Sequence, residues 1–269
     1  MPTTVQAALL GFVQGATEFL PVSSSAHLIL ARAFFGFDGD KFGLAFDVAC
    51  HVGTLIAVLI YFRQDLARMV AALPRFNPAS DEESRLIWLL VVGTIPAVIA
   101  GLAFRHLIEE LRTPPVAAAT LALGAILFFV AERGAKTRSD RSLTVMEALL
   151  IGVAQAFALV PGVSRSGATI TVALFLGLRR IEAARFIFLL AIPAILGAAA
   201  AEAPKLLKAG VEGGAALIVI GVAASAIVGY AAVKYFIRYL GNHSLAAFAW
   251  YRIALAASVV VWLYAVAAP

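Results

Sequence analysis

Six segments of this chain are apolar over about the twenty residues a helix needs to cross a bilayer. They run Phe42–Phe62, Leu86–Phe104, Pro115–Ala131, Ala184–Ala201, Ala215–Val233 and Leu245–Ala267. Two further segments are as apolar but broken. Val5–Phe35 is interrupted at its centre by Glu18, Pro21, Ser23, Ser24, Ser25 and His27, and Met146–Leu178 by Pro161, Gly162, Ser164, Arg165, Ser166 and Thr169. Each arm of a broken segment has only about 12–15 residues, too few to cross. A proline at the break removes a backbone donor and crowds the preceding turn. The pattern predicts a re-entrant hairpin in each: a half-helix in, a polar tip, a half-helix out. Unpaired backbone at that depth is tolerated only where protein or a water-filled cavity satisfies it.

Composition closes the soluble alternative. Apolar residues are 62% of the 269 and charged residues 14%, against roughly 45–50% and 25% in soluble domains. The expectation is an all-α polytopic membrane protein, not a disordered chain, a coiled coil or a disulfide scaffold. Cys50 stands alone and can form no internal disulfide. Met1–Leu10 lacks the basic start of a signal peptide. The net charge of +5 reads as a basic surface beside anionic membrane lipid, not as a nucleic-acid site. No G-x-x-x-x-G-K nucleotide loop and no zinc-spaced Cys/His set occurs.

The broken segments repeat one another. A shift of 141 residues pairs Gly11 with Gly152, Gln14 with Gln155, Ser23 with Ser164 and Ser25 with Ser166; a shift of 129 then pairs Ala97-Val98 with Ala226-Ile227. One integral membrane domain over 1–269 follows, with repeat 1 at about 1–135 and repeat 2 at about 142–269. Each half holds one hairpin and three spans. Three crossings is odd, so the second half enters upside down: an inverted-topology repeat, with its site near the midplane. Lys and Arg set the orientation. Thirteen lie on the side of Arg63, Arg68, Arg75, Arg85, Arg133, Lys136, Arg138, Arg141, Arg179, Arg180, Arg185, Lys234 and Arg238, and five on the side of Lys41, Arg105, Arg112, Lys205 and Lys208. The first side is cytoplasmic. Both termini and the mouth of the first hairpin face outward.

A charged group at bilayer depth costs at least about 2.5–3.5 kcal/mol and is a functional hypothesis by default. Gln14 and Glu18, four apart, share a helix face. The serines after Pro21 suit a helix cap; Arg165, Ser166 and Thr169 surround the start of the returning half-helix in the second hairpin. Helix N-termini bind anions, and Arg presents a planar fork to phosphate oxygens. Glu18 would repel a phosphate unless it carries a proton or shares a divalent cation, Mg²⁺ or Ca²⁺, with Gln14. The set reads as phosphoryl chemistry, with a serine or His27 as nucleophile, or His27 as acid or base. Blander readings stand beside it: a plain serine cap, a packing histidine, or a structural Arg165–Glu18 pair. Asp47 and His51 either line the cavity or pair with each other. Glu132, Glu147, Glu202 and Arg252 are expected to snorkel at span ends.

The runs Gln14-Gly-Ala-Thr-Glu-Phe-Leu-Pro-Val-Ser-Ser-Ser-Ala-His27 and Pro161-Gly-Val-Ser-Arg-Ser-Gly-Ala-Thr169 closely resemble the two motifs of the bacterial undecaprenyl-diphosphate phosphatases of the bacitracin-resistance type, (E/Q)-x-x-x-E and P-G-x-S-R-S-x-x-T. The likeness extends over almost the whole chain. It implies catalytic roles for Glu18, Ser24, His27 and Arg165, with Ser164, Ser166 and Thr169 around the phosphate beside Ser23 and Ser25. Gln14, where some members carry Glu, removes one charge from a metal pair with Glu18. Ala26 stands where many members have Gly. The resemblance implies a bacterial cytoplasmic (inner) membrane enzyme that removes the terminal phosphate of a C55 polyprenyl diphosphate, recycles the carrier lipid and confers bacitracin tolerance. A second copy of the chain, as a homodimer, is entertained as a partner.

The rival from another class is a lipid flippase or transporter, since broken helices in inverted repeats are a transporter architecture. A polyprenyl-phosphate binding protein and an intramembrane serine protease follow. For the nucleophile the expectation is Ser24 assisted by His27, because the cap position sets the serine oxygen beside the anion site.

Overall fold

The computed structural model describes residues 2–37, 42–134, 136–209 and 215–267; of these, the side chains of 44–45, 202–209 and 266–267 are left aside. Lys41 and the side chains of Glu202, Lys205 and Lys208 therefore lie outside the described residues. Among the described residues twelve α-helices follow in order: α1 Thr3–Glu18, α2 Ser24–Phe35, α3 Leu44–Tyr61, α4 Arg63–Ala72, α5 Glu82–Ala103, α6 Arg105–Glu110, α7 Pro114–Ala131, α8 Val145–Phe157, α9 Arg165–Phe175, α10 Arg180–Ala209, α11 Ala215–Leu240 and α12 Ala246–Ala267. Among the described residues five helices are long and apolar enough to cross a membrane, or six if α3 and α4, bent by 77° at Phe62, count as one. Arg63–Arg85, between the first two apolar segments, is therefore no plain polar loop: its first half is the amphipathic α4. The broken segments form the short helices α1, α2, α8 and α9 of 16, 12, 13 and 11 residues.

Helix starts follow local chemistry. Asp81 accepts the Ser84 amide at 2.7 Å and caps α5. Thr144 and Glu147 form a reciprocal capping box on α8. Small residues set the closest helix contacts. Gly11 and Gly15 of α1 lie against Gly221, Ser225 and Gly229 of α11, where an added methyl at Gly15 would meet the Ser225 carbonyl at 2.7 Å. Gly152 of α8 lies as close to Gly93 of α5. Thus α1 packs on α11, from the other half of the sequence, and its counterpart α8 packs on α5. The core gathers on Phe188 of α10, whose ring meets Phe19 at 5.3 Å and Phe236 at 6.0 Å. Large apolar side chains cover the outside, Ile227 73% and Tyr264 76% exposed, as a lipid-facing surface requires.

Candidate active site

The chain reverses between α1 and α2 and again between α8 and α9, and the reversals are built alike. Ser23 (φ 72°) and Ser164 (φ 70°) are the non-glycine residues at positive φ among the described residues. Each holds that conformation while capping its helix: Ser23 Oγ accepts the Ala26 amide at 3.4 Å, and Ser164 Oγ the Gly167 amide at 3.1 Å. Backbone in this region costs of order 1–3 kcal/mol per residue and persists where surroundings impose it. The two tips are stitched together. Ser25 Oγ accepts the Gly162 amide at 3.4 Å, and Ser166 Oγ donates to the Leu20 carbonyl at 3.0 Å.

Arg252 of α12 holds both breaks at once, which corrects its expected place at a span end. Its side chain is fully buried. The guanidinium donates to the carbonyls of Pro21 (3.2 Å), Gly162 (3.1 Å) and Val163 (3.2 Å), and to Leu121 (3.1 Å) and Thr120 (3.0 Å) of α7. It stacks on Phe128 at 5.2 Å. Gly124 makes the approach possible: a methyl there would sit 2.7 Å from Arg252 Cζ. Glu132 does not snorkel freely either, being ion-paired to Arg180 and accepting the Leu245 amide at 2.8 Å; Glu147 pairs with Arg138 at 2.6 Å.

Between the reversals lies a cavity of about 380 Å³. Glu18, Ser23, Ser24, Ser25, Ser164 and Arg165 line its polar end, with His51 and Gln155. Ala97, Val98 and Gly101 of α5 and Ala194, Gly197 and Ala198 of α10 form apolar walls, and Arg105, Glu109 and Arg112 stand at its rim. Glu18 is the hub. Arg165 pairs with its Oε1, Ser24 Oγ donates to Oε2 at 2.6 Å, Gln14 Nε2 donates to Oε2 at 2.8 Å, and His51 Nε2 lies 3.4 Å from Oε2.

Ser24 and His27 are not hydrogen-bonded to each other, contrary to the expected assistance. His27 Nδ1 donates to the Ser23 carbonyl at 2.7 Å, and Nε2 meets the Tyr251 hydroxyl at 2.6 Å. Both ring nitrogens are engaged. The side-chain partner of Ser24 is Glu18. Thr169 Oγ1 donates back to the Arg165 carbonyl at 2.7 Å, off the cavity wall. Asp47 and His51 do not pair through their side chains: Asp47 binds Arg32 and, at 3.1 Å, Arg112, while His51 lines the cavity. His51 follows its cavity-lining alternative, whereas Gln155 and Arg252 were not among the expected site residues. The repeat pairing of Gln155 with Gln14 was the available signal.

A divalent ion was expected on Glu18 and Gln14. No cluster of three or more His, Cys, Asp and Glu side chains suits a metal among the described residues. Gln14 Oε1, however, is a buried acceptor with no partner beside the Glu18 carboxylate. One carboxylate and one amide oxygen fit an ion that takes its other ligands from phosphate and water, as Mg²⁺ does. Chemically, the arrangement offers a hydroxyl with a carboxylate as proton acceptor, an arginine guanidinium, and two capped helix N-termini.

The family described as bacitracin resistance protein BacA matches residues 7–258. Relatives named undecaprenyl-diphosphatase include proteins of Rubrobacter xylanophilus (49% identical, covering 96% of this chain and 98% of the relative), Trichlorobacter lovleyi (44%; 96% and 97%) and Hahella chejuensis (44%; 97% and 99%). By near-complete coverage at these identities, the chain belongs to the BacA bacitracin resistance family.

Proposed function

We propose that this protein is an integral membrane phosphatase that hydrolyses undecaprenyl diphosphate to the monophosphate and inorganic phosphate, recycling the carrier lipid for cell-wall synthesis and giving bacitracin resistance. The observation that carries the reading is the Ser24 hydroxyl held at 2.6 Å on the Glu18 carboxylate, beside Arg165 and under two helix N-termini. The names of the relatives supply the substrate class. Arg165, paired with Glu18 in the structure, turns to the terminal phosphate, whose oxygens match its planar fork. Ser24 Oγ then attacks the terminal phosphorus and yields its proton to Glu18. The bond from phosphorus to the bridging oxygen breaks, and the lipid monophosphate leaves with the proton from Glu18, which is ionised again. Water attacks the phosphoserine and gives its proton to Glu18, the bond from phosphorus to Ser24 Oγ breaks, Glu18 returns the proton to that oxygen, and inorganic phosphate is released. His27 is a positioning residue that fixes the Ser23 carbonyl at the turn. Glu18 and Gln14 would hold a hard divalent ion, which would supply neutralisation of the diphosphate charge.

The same reading covers the architecture. The short arms α1–α2 and α8–α9 are re-entrant hairpins, and the halves at about 1–135 and 142–269 are inverted repeats in one membrane domain. The matched positive φ of Ser23 and Ser164 supports this, as does the reciprocal packing of α1 on α11 and α8 on α5. In a bacterial inner membrane the termini and the cavity mouth face the periplasm, following the basic-residue count. The test is phosphate release from a polyprenyl diphosphate by the purified protein in detergent, with and without chelator. Release lost on chelation and restored by Mg²⁺ or Ca²⁺ supports the whole reading. No release in any condition sinks it in favour of transport or binding.

A further inference from the structure

Gln155 is 2% exposed, and neither Nε2 nor Oε1 of its amide has a hydrogen-bond partner. Buried polar groups are paired in the great majority of cases, and an unpaired one costs about 1–3 kcal/mol. The repeat explains how the orphan arises. Its counterpart Gln14 donates to Glu18, four residues on, at 2.8 Å. Four residues on from Gln155 stands Leu159, which lines the cavity and accepts nothing. The second hairpin has thus kept the amide and replaced its carboxylate partner. Gln155 lines the same cavity as Arg165, Ser164 and Glu18.

We infer that Gln155 is a further substrate-binding residue: its Nε2 donates to an oxygen of the bound diphosphate, the acceptor its own hairpin no longer supplies. The inference rests on the phosphatase reading for the identity of the anion. A donor already stripped of water on folding gives up no solvent bond when the anion arrives, so the interaction counts almost in full. Loss of such a bond to a charged group is expected to lower kcat/KM by about 10–100-fold.

A structural role and a binding role predict opposite effects on the empty protein. Gln155→Leu and Gln155→Met remove two unpaired polar atoms, so their thermal midpoint without ligand should equal or exceed wild type. Inorganic pyrophosphate should raise the wild-type midpoint and raise theirs less, with kcat/KM on polyprenyl diphosphate lowered about tenfold or more. A lower midpoint without ligand, with the pyrophosphate shift intact, would assign Gln155 to packing and overturn the inference. Wild-type kcat/KM in both variants would overturn it as well. If wild type itself releases no phosphate, the phosphatase reading fails, while the pyrophosphate shift still decides whether Gln155 holds the anion.

Discussion

Replacing Arg252 by Met tests whether one buried cation organises both reversals. The guanidinium makes six hydrogen bonds to five carbonyls. Those of Thr120 and Leu121 lie within α7 and keep their helix ladder; those of Pro21, Gly162 and Val163 lie in the breaks, outside any helix. Orphaning three buried carbonyls at about 1–3 kcal/mol each costs about 3–9 kcal/mol. Removing a buried cation returns several kcal/mol of desolvation, so the net loss belongs at the lower end, about 3 kcal/mol. Activity should suffer more, because the N-termini of α2 and α9 lose their shared anchor, and a displacement of about 1 Å at a catalytic group can cost roughly 100-fold. Thermal denaturation and phosphate release on the same preparation measure both. Arg252→Lys, with three donors in place of five, should fall between Met and wild type, and Gly124→Ala, which pushes a methyl into the guanidinium, should reproduce a milder form. Arg252→Met with an unchanged midpoint and unchanged kcat/KM would refute the anchoring role.

Arg165→Lys keeps the charge but not the fork, and should lower kcat/KM by about 10-fold or more; equal activity would reduce Arg165 to general electrostatics. Ser24→Ala should fall to background while still binding pyrophosphate by thermal shift, whereas His27→Ala should retain measurable turnover, because its ring contacts the Ser23 carbonyl and not Ser24; a trapped phosphohistidine in both wild type and Ser24→Ala would reverse these roles. The Asp81 carboxyl is held below the ordinary carboxylate range by the hydroxyl and amide of Ser84. Its folded value lies below the unfolded one, so its stabilisation is present above about pH 4 and fades as pH falls through the folded value. Asp81→Ala should therefore lower the thermal midpoint at pH 7 and make little difference at low pH; an equal effect at both would deny the charged cap.

Hydropathy alone located the spans and the two interrupted segments, since each depends on runs of side chains and not on tertiary contact. The motif residues Glu18, Ser24 and Arg165 were legible for the same reason: polar groups at such depth stand out. Arg252 was not. It is the seventh residue of α12, about 10 Å in from the helix start at 1.5 Å per residue, and a reading that set it near the span end missed that the reversals lie at that level. The Ser24–Glu18 bond was equally hidden. It depends on the left-handed conformation of Ser23, which no spacing rule announces and which turns Ser24 toward α1 while His27 faces Tyr251. Gln155 could be paired with Gln14 by counting, but its lack of a partner appears only once Leu159 is placed beside it.

The apolar walls of the cavity mix side chains of hydrogen or a single methyl, as at Ala97, Gly101, Ala194, Gly197 and Ala198, with the branched Val98, Leu102, Leu159 and Ile195. None of these side chains can donate or accept a hydrogen bond, so they meet an isoprenoid by dispersion contact alone. Directional recognition is then concentrated at the charged end, where Arg165, Ser24 and Ser164 meet the headgroup.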